Sequence, residues 1–323
     1  MITFPNAKIN IGLRVTEKRA DNYHNIETIF YPIALKDALE VAPLNPPEGG
    51  KLLAHVSTAL NDRSTALNDR TSPYSVGLGG TFNSSGIAVD TPPENNLIVK
   101  AYRLLAKDFP LPAVDVHLHK QIPFGAGLGG GSADAAFMLK MLNEMFSLEI
   151  PTGKLEQYAS MLGADCAFFV RSASASPTNR KPVLATGIGN VFQDIDLDLS
   201  KYHIAIVKPP VFVSTAQAYA AVKPRFDYAQ RPEALGDRSR ITLAEIVKKP
   251  ISEWKNHLFN DFEQSVFAQF PAIAGVKNEL YNRAALYASM SGSGSAVYGI
   301  FEEKPKLEGV FPSDYFWHTD DAD

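Results

Sequence analysis

The sequence predicts an α+β fold, because strand-like and helical segments alternate irregularly instead of following the strict order of a wound parallel sheet. The 323 residues suit one large or two medium domains. Apolar residues make up 45% of the chain, which is enough to fill a core of that size. We therefore expect a globular protein with two lobes, residues 1–175 and residues 176–323.

The elements of the first lobe follow from two periodicities. Apolar residues that alternate with polar ones predict a half-exposed antiparallel strand at 114–122, and apolar residues at helical spacing predict a helix at 132–146. Gly163 ends another helix, and the apolar run after it predicts a short buried strand. In chain order the predicted elements are strand 7–16, a strand after Tyr23, helix 96–107, strand 114–122, helix 132–146, helix 154–162 and strand 164–170.

A polar stretch at 171–181 separates the lobes, and the second lobe is predicted to begin with strand 203–208 and to end with strand 296–301. Within the first lobe, residues 45–80 read as an inserted mobile loop. Its flanks are rich in Pro, Gly and Ser, and Ser57 to Arg63 is repeated as Ser64 to Arg70. The acidic tail at 318–323 is expected to be frayed.

Composition limits the possible partners. The net charge is −4 and no basic run occurs, so nucleic acid is not expected as a partner. Cys166 is the only cysteine, which excludes an internal disulfide and favours a reducing compartment. Residues 1–10 lack the basic and apolar regions of a secretory signal, and no apolar run suits a membrane span. We expect a cytoplasmic protein, a monomer or a homodimer.

The most specific local feature is a glycine-rich loop that leads into a helix. Five of the seven residues from Gly125 to Gly131 are glycine, and the missing Cβ atoms are expected to let a polyanion approach the backbone N–H groups. Ser132 is predicted to begin the helix, whose first-turn N–H groups have no intrahelical partner. A structural turn is the alternative, but the helix start fused to the loop favours phosphate binding.

Two common phosphate loops do not fit. Gly125, Gly127 and Gly130 match G-x-G-x-x-G, but a dinucleotide fold requires a buried parallel strand before the loop, and strand 114–122 reads as half-exposed. Gly131 stands where the Walker pattern requires lysine. The cation that neutralises a transferred phosphoryl group must therefore come from elsewhere in the sequence.

Five motifs, in their order along the chain, resemble the GHMP small-molecule kinases. They are Pro-Asn-Ala-Lys-Ile-Asn at 5–10, Arg-Ala-Asp-Asn-Tyr-His at 19–24, Gly-Ala-Gly-Leu-Gly-Gly-Gly-Ser at 125–132, Gly-Ala-Asp at 163–165 and Ser-Gly-Ser-Gly at 291–294. The resemblance runs from Pro5 to about Phe301. It implies a two-lobed GHMP kinase fold, with a ribosomal protein S5 domain 2-like N-terminal ATP-binding lobe and a ferredoxin-like C-terminal lobe.

The resemblance also implies the residues of transfer. Lys8 and Asp165 would face the acceptor hydroxyl, with Lys8 neutralising charge and Asp165 accepting the hydroxyl proton. A solvated strand lysine and a turn aspartate are the alternatives. The implied reaction is direct transfer from ATP to an alcohol, without a phosphoenzyme.

The implied acceptor is a methylerythritol unit linked to cytidine diphosphate, an isoprenoid precursor. By the resemblance, Tyr23 would stack on the cytosine ring and His24 would hydrogen-bond its polar edge. Tyr219 would cover the opposite side of the base, although a core or surface aromatic is an equally good interpretation. Thr215 would lie near the diphosphate, and Asn10 would orient a substrate phosphate or hydroxyl.

On the donor side, Asn96 and Lys120 would lie near adenine, with a helix cap and an exposed strand lysine as alternatives. Mg²⁺ is expected to accompany ATP, bound by phosphate oxygens with the Ser132 hydroxyl as a candidate ligand, and no separate protein metal site is expected. The complete predicted ATP set is Asn96, Lys120, Pro123, Gly125, Ala126, Gly127, Leu128, Gly129, Gly130, Gly131 and Ser132.

Three further positions bear on the resemblance. Asn22 replaces the usual glycine before Tyr-His, and asparagine tolerates positive φ. Ala167 stands where proline is common, which leaves the placement of Asp165 less fixed. Asp134 is expected to be a helix-start residue in the first turn, not a metal ligand. A mevalonate-type or homoserine-type GHMP kinase and a catalytically silent nucleotide-binding sensor remain as alternatives.

Overall fold

The computed structural model describes residues 1–44, 74–75, 78–88, 91–172, 181–222 and 241–320. Its strands are β1 Ile2–Thr3, β2 Asn6–Lys18, β3 His24–Lys36, β4 Ala38–Pro43, β5 Tyr74–Ser75, β6 Gly79–Gly86, β7 Val114–Lys120, β8 Val183–Thr186, β9 Val191–Asp194, β10 His203–Lys208, β11 Tyr287–Met290, β12 Val297–Phe301 and β13 Phe316–Asp320. Its helices are α1 Leu97–Leu105, α2 Gly130–Met145, α3 Thr152–Leu162, α4 Ala164–Ser172, α5 Thr215–Ala221, α6 Leu243–Ile246, α7 Ile251–Trp254, α8 Glu263–Gln269 and α9 Pro271–Asn282. The predicted α+β class is confirmed.

The long strand β2 separates a core from a cleft. Its odd-numbered residues Ile9 and Ile11 are buried in an apolar cluster with residues of β10 and β12 from the second lobe. Because side chains alternate along a strand, the even-numbered Lys8 and Asn10 point to the opposite face. One strand therefore contributes both to the packing between the lobes and to the predicted site.

Strands β2, β3, β8 and β9 form an antiparallel four-stranded sheet in that order. Strands β8 and β9 follow the lobe boundary predicted at residue 175, yet β8 pairs with β3 of the first lobe. The boundary itself stays a prediction, since most of the polar stretch at 171–181 lies outside the described residues.

A five-stranded sheet in the order β1-β4-β7-β6-β5 packs against α1, α2, α3 and α4. The alternation predicted for β7 is present, with Val114, Val116 and Leu118 buried in this core. The strand is antiparallel to β4 but parallel to β6, so the prediction holds on one side only. The predicted insertion 45–80 lies largely outside the described residues, although its last two residues belong to β6.

The second lobe contains a four-stranded antiparallel sheet in the order β11-β12-β10-β13, with α8 and α9 packed on it. The predicted strand 203–208 matches β10, and 296–301 matches β12 to within one residue. Along the described residues, no helix has both the length and the apolar character that a bilayer crossing requires.

Two predictions are wrong. The run 164–170 forms helix α4 instead of a strand, because its short apolar part, buried at every residue from Cys166 to Val170, has no period that separates the two structures. Of the acidic tail 318–323, residues 318–320 are not frayed, because they belong to β13, which pairs with β10; residues 321–323 lie outside the described residues. Asp320 is 2% exposed and accepts a hydrogen bond from the Ala34 amide at 2.5 Å, which ties the tail to β3.

Candidate active site

A cleft of about 1000 Å³ is lined by residues of both lobes. The predicted site residues that line it are Lys8, Asn10, Tyr23, His24, Gly125, Gly127, Gly129, Asp165, Thr215 and Tyr219. The remaining predicted residues do not belong to its lining: Asn96, Lys120, Pro123, Ala126, Leu128, Gly130, Gly131 and Ser132. Residues far apart in the sequence thus meet here, and the predicted set divides into a cleft part and a part behind the glycine loop.

Lys8 is a buried cation at this cleft, only 3% exposed. Its Nζ donates to Asn10 Oδ1 at 2.5 Å and to the Gly127 carbonyl at 3.0 Å. It also lies 3.4 Å from Asp165 Oδ2 and 5.0 Å from the centroid of the Phe30 ring. A buried ammonium requires such partners. These contacts exclude the solvated strand lysine and fix one positive charge beside the loop.

Asp165 is the open partner of that ion pair. It lies in the first turn of α4, where the N–H groups of the helix favour a negative charge. Its side chain is 30% exposed, whereas that of Lys8 is 3% exposed. The carboxylate can therefore contact a molecule in the cleft while its ion pair with the buried Lys8 fixes its position. Ala167, which stands where proline is common, is buried in the same helix as Asp165. The segment that carries Asp165 is therefore helical without the proline.

Asn10 holds Lys8 in place. Its Oδ1 accepts from Lys8, and its Nδ2 donates to Thr28 Oγ1 at 3.1 Å. Its backbone N–H donates to Ser291 Oγ at 3.2 Å. Both ends of the amide thus have partners within the protein, and a contact of Asn10 with substrate stays a prediction.

The glycines of the loop make room for neighbouring protein groups, which corrects the expectation that all five make room for a polyanion. A Cβ on Gly127 would lie 2.0 Å from the Ser291 carbonyl oxygen, and one on Gly129 would lie 2.9 Å from the Phe169 ring. Gly130 is similarly close to Ile122. At Gly131 the nearest atom is 3.8 Å away, so this glycine alone of the five has free space around it.

The helix behind the loop begins at Gly130, two residues earlier than predicted. Gly129 caps it with a φ of 73°, a left-handed conformation that suits glycine. By helix geometry the first N–H groups have no intrahelical partner, and together with the helix dipole they form an anion-binding end. This end includes Gly131 and the half-buried Ser132.

Lys120 is neither exposed nor in the cleft. Its Nζ is paired with Asp37 and lies 2.9 Å from Asp134 Oδ2, and all three side chains are at most 4% exposed. Burial, reinforced by the Asp37 carboxylate, raises the pKa of Asp134 to about 7 against the opposing effect of Lys120. Asp134 lies beyond the first turn of α2, so its interpretation as a helix-start residue is wrong.

Asn96 is the N-cap of α1. Its Oδ1 accepts from the Ile98 amide at 2.9 Å, which is the helix-cap alternative. Ala126 and Leu128 bind other parts of the protein by their backbone carbonyls. The Ala126 carbonyl accepts from the Ala296 amide at 3.1 Å, and the Leu128 carbonyl accepts from the Lys8 amide at 2.9 Å. Contact of these residues with a nucleotide stays a prediction.

The turn before β3 presents an aromatic ring to the cleft. Asn22 has a φ of 66°, which confirms that asparagine adopts the conformation expected of glycine there. Asp21 Oδ1 accepts from the Tyr23 amide at 3.1 Å, and Arg19 pairs with Asp21 at 2.8 Å. Tyr23 is 61% exposed, an unusual exposure for so large a ring.

His24 and Tyr219 are stacked with each other, with ring centroids 5.1 Å apart and planes 25° apart. Tyr219 also meets Phe262 edge-on at 4.8 Å. Burial, with the Lys18 charge in second place, lowers the pKa of His24, so its imidazole is neutral at pH 7. Burial, followed by the Asp165 charge, raises the pKa of Tyr219 to about 12. Thr215 Oγ1 lies 3.0 Å from Ser293 Oγ and joins α5 to the serine-glycine loop.

Sequence reasoning missed three contributors. Asn260 Nδ2 donates to the carbonyls of Met290 and Gly292, both at 2.8 Å, and so shapes the serine-glycine loop. Phe124 and Phe212 line the cleft as exposed rings. Asn260, between Phe259 and Asp261, belongs to no motif that indicates this role, whereas Phe124 directly precedes Gly125 and was a signal available in the sequence.

The chain matches two protein families along its length. The family described as GHMP kinases N terminal domain matches residues 96–173, and GHMP kinases C terminal matches residues 242–311. It is 50% identical over 307 residues to 4-diphosphocytidyl-2-C-methyl-D-erythritol kinase of Bacteroides fragilis, covering 95% of this chain and 94% of that protein. It is 48% identical to the protein of the same name from Bacteroides thetaiotaomicron, covering 97% and 94%.

Solved structures give a similar result. A crystal structure of 4-(cytidine 5'-diphospho)-2C-methyl-D-erythritol kinase has a TM-score of 0.64 at 27% identity, covering 93% of this chain and 90% of that chain. The mevalonate kinase of Methanococcus jannaschii has a TM-score of 0.58 at 15% identity, covering 99% and 97%, and shows likeness of fold alone.

Proposed function

This chain belongs to the GHMP kinase family, and we propose that it transfers the γ-phosphoryl group of ATP to the 2-hydroxyl of 4-diphosphocytidyl-2-C-methyl-D-erythritol. Relatives of that name, at 48–50% identity over nearly the whole chain, support the acceptor and a place in non-mevalonate isoprenoid synthesis. The chain is an ATP-dependent kinase that acts on a small molecule. Its lone buried thiol, Cys166, accords with a cytoplasmic location.

The observation that carries the proposal is the pair of Lys8 and Asp165 beside the glycine loop, 3.4 Å apart. Asp165 accepts the proton of the 2-hydroxyl as that oxygen forms its bond to the γ-phosphorus. The bond from phosphorus to the bridging oxygen breaks, and ADP leaves. The Lys8 ammonium stabilises the negative charge on the oxygens during this step, which is the main task of a protein in phosphoryl transfer.

The anion-binding end of α2 and the backbone of the glycine loop would hold the donor phosphates. Mg²⁺, when bound with ATP, neutralises phosphate charge. Phosphate oxygens and the Ser132 hydroxyl are oxygen donors of the kind that Mg²⁺ prefers, and this cation usually keeps several waters. Within the described ranges, no group of three or more His, Cys, Asp or Glu side chains is arranged to hold a metal ion.

For the acceptor, the exposed ring of Tyr23 would stack on cytosine, and the neutral His24 would hydrogen-bond its polar edge. A neutral imidazole has one donor and one acceptor nitrogen, so it can match a mixed polar edge. Tyr219 would close the other side of the base next to His24, and Thr215 would lie near the diphosphate with Ser293. Lowered pKa at His24 and the high exposure of Tyr23 support these assignments.

The test measures phosphorylated product and ADP from ATP and Mg²⁺ with 4-diphosphocytidyl-2-C-methyl-D-erythritol, mevalonate, homoserine or no acceptor. We expect product with the cytidine substrate alone. Asp165→Asn is expected to lower kcat by about 10²-fold or more, because it removes the base. Asp314→Asn makes the same change at an exposed carboxylate outside the cleft; it is the matched control and should behave as wild type.

Turnover of mevalonate or homoserine in place of the cytidine substrate would overturn the acceptor assignment, whereas the assignment of kinase activity would stand. ATP binding without transfer to any acceptor would instead identify a catalytically silent sensor. An Asp165→Asn variant with wild-type kcat would remove Asp165 as the base.

A further inference from the structure

Two exposed phenylalanine rings border the cleft, and the reaction described above does not use them. Phe124 is 53% exposed and Phe212 is 61% exposed, and both line the cleft. Their ring planes are parallel to within 6°, with centroids 6.5 Å apart. Apolar area left in water costs roughly 25 cal/mol per Å², so a pair of open rings at a functional cleft indicates an interaction role.

The two rings come from different lobes and meet at the glycine loop. Phe124 directly precedes Gly125, whereas Phe212 lies between β10 and α5. A Cβ on Gly125 would lie 2.6 Å from Phe212 Cε2 and 2.7 Å from its Cδ2. The Phe212 ring therefore rests on the bare backbone of Gly125, and this glycine makes room for an apolar ring.

The second lobe already holds this loop by hydrogen bonds. The Ala296 amide donates to the Ala126 carbonyl at 3.1 Å, and Ser291 Oγ donates to the Gly127 carbonyl at 2.8 Å. Both contacts restrain the loop without exposing apolar surface. The contact of Phe212 with the adjacent Gly125 adds an apolar surface at the edge where the loop borders the cleft.

We propose that Phe124 and Phe212 form an apolar cover that keeps water from the transferred phosphoryl group, so that the acceptor alcohol reacts in preference to water; this rests on the proposed kinase function. In the competing reaction, a water oxygen bonds to the γ-phosphorus while the bond to the bridging oxygen breaks. The products are ADP, inorganic phosphate and one proton released to solvent. Rings cannot hydrogen-bond a water beside the phosphate as polar side chains do, and excluding water prevents such side reactions.

The experiment measures ADP and phosphorylated product in the same reaction, with 4-diphosphocytidyl-2-C-methyl-D-erythritol present or absent. The wild-type chain should release about one ADP per product. Phe212→Ala should raise the ratio of ADP to product, and the ADP released without acceptor, by about three- to tenfold. Phe212→Leu keeps an apolar cover and should restore the ratio. Phe4→Ala removes a ring of similar exposure, 57%, outside the cleft and should match wild type.

A Phe212→Ala variant that loses kcat at an unchanged ratio would overturn the proposal, because the ring would then serve structure or positioning alone. A ratio raised equally by Phe4→Ala would also overturn it. Thermal unfolding of each variant identifies loss of fold, and Phe124→Leu compared with Phe124→Ser repeats the ratio test from the other lobe. Absence of product from wild type would refute the proposed function instead.

Discussion

Replacing Gly127 by alanine places a methyl group where two loops touch. The φ of Gly127 is +75°, and its Cβ would lie 2.0 Å from the carbonyl oxygen of Ser291 and 2.8 Å from the carbonyl carbon. The left-handed backbone costs about 1–2 kcal/mol for alanine. Displacing packed backbone adds about 1–3 kcal/mol. We therefore expect the free energy of unfolding to fall by about 2–5 kcal/mol, summing these two terms.

The same change affects activity, because the Gly127 carbonyl accepts from Lys8 Nζ at 3.0 Å. A shifted loop moves this anchor, so kcat should fall by about 10²-fold. Urea unfolding and initial-rate kinetics measure the two effects. Gly275→Ala is the control, since nothing lies within 4 Å of the Cβ that it adds to α9. Its free energy of unfolding should rise by about 1 kcal/mol, the helix propensity of alanine over glycine, with unchanged kinetics. A Gly127→Ala variant with wild-type stability and kcat would refute this reasoning.

Three further changes have definite expected results. Lys8→Met should lower kcat by about 10²- to 10³-fold with little change in the KM for ATP, because a fixed charge at the transferred group is lost; an equal loss in kcat and rise in KM would contradict it. Tyr23→Ala should raise the KM for the cytidine substrate by about 5- to 150-fold, the value of one stacked base, and steady-state kinetics with ATP as second substrate checks that the KM for ATP stays constant. The pKa of Asp134 is raised from 3.8 to about 7 in the folded state. Between these two pH values the folded chain keeps this proton, whereas the unfolded chain has released it. Wild-type stability relative to Asp134→Asn should therefore fall as pH rises from about 4 to 7 and level off above it, as measured by urea unfolding across that range; a constant difference would mean that Asp134 is ionised throughout.

Local patterns predicted the elements whose signal is confined to a few neighbouring residues. The short apolar run of 203–208 and the helical spacing of α2 were predictable because both signals depend on adjacent residues. The same kind of signal failed at 164–170, where the five successive buried residues from Cys166 to Val170 include no polar position that distinguishes a helix from a strand.

The sequence by itself determined the family and located the glycine-rich loop before a helix, because both depend on motifs of contiguous residues; it also singled out Lys8 and Asp165, whose roles stay predictions. Only the tertiary structure decided what those residues touch. Lys120 is held between two buried carboxylates, and most loop glycines make room for groups elsewhere in the chain, as Gly127 does for Ser291, 164 positions away. Such contacts are set by how the two lobes pack, since distances between remote residues leave no trace in local periodicity.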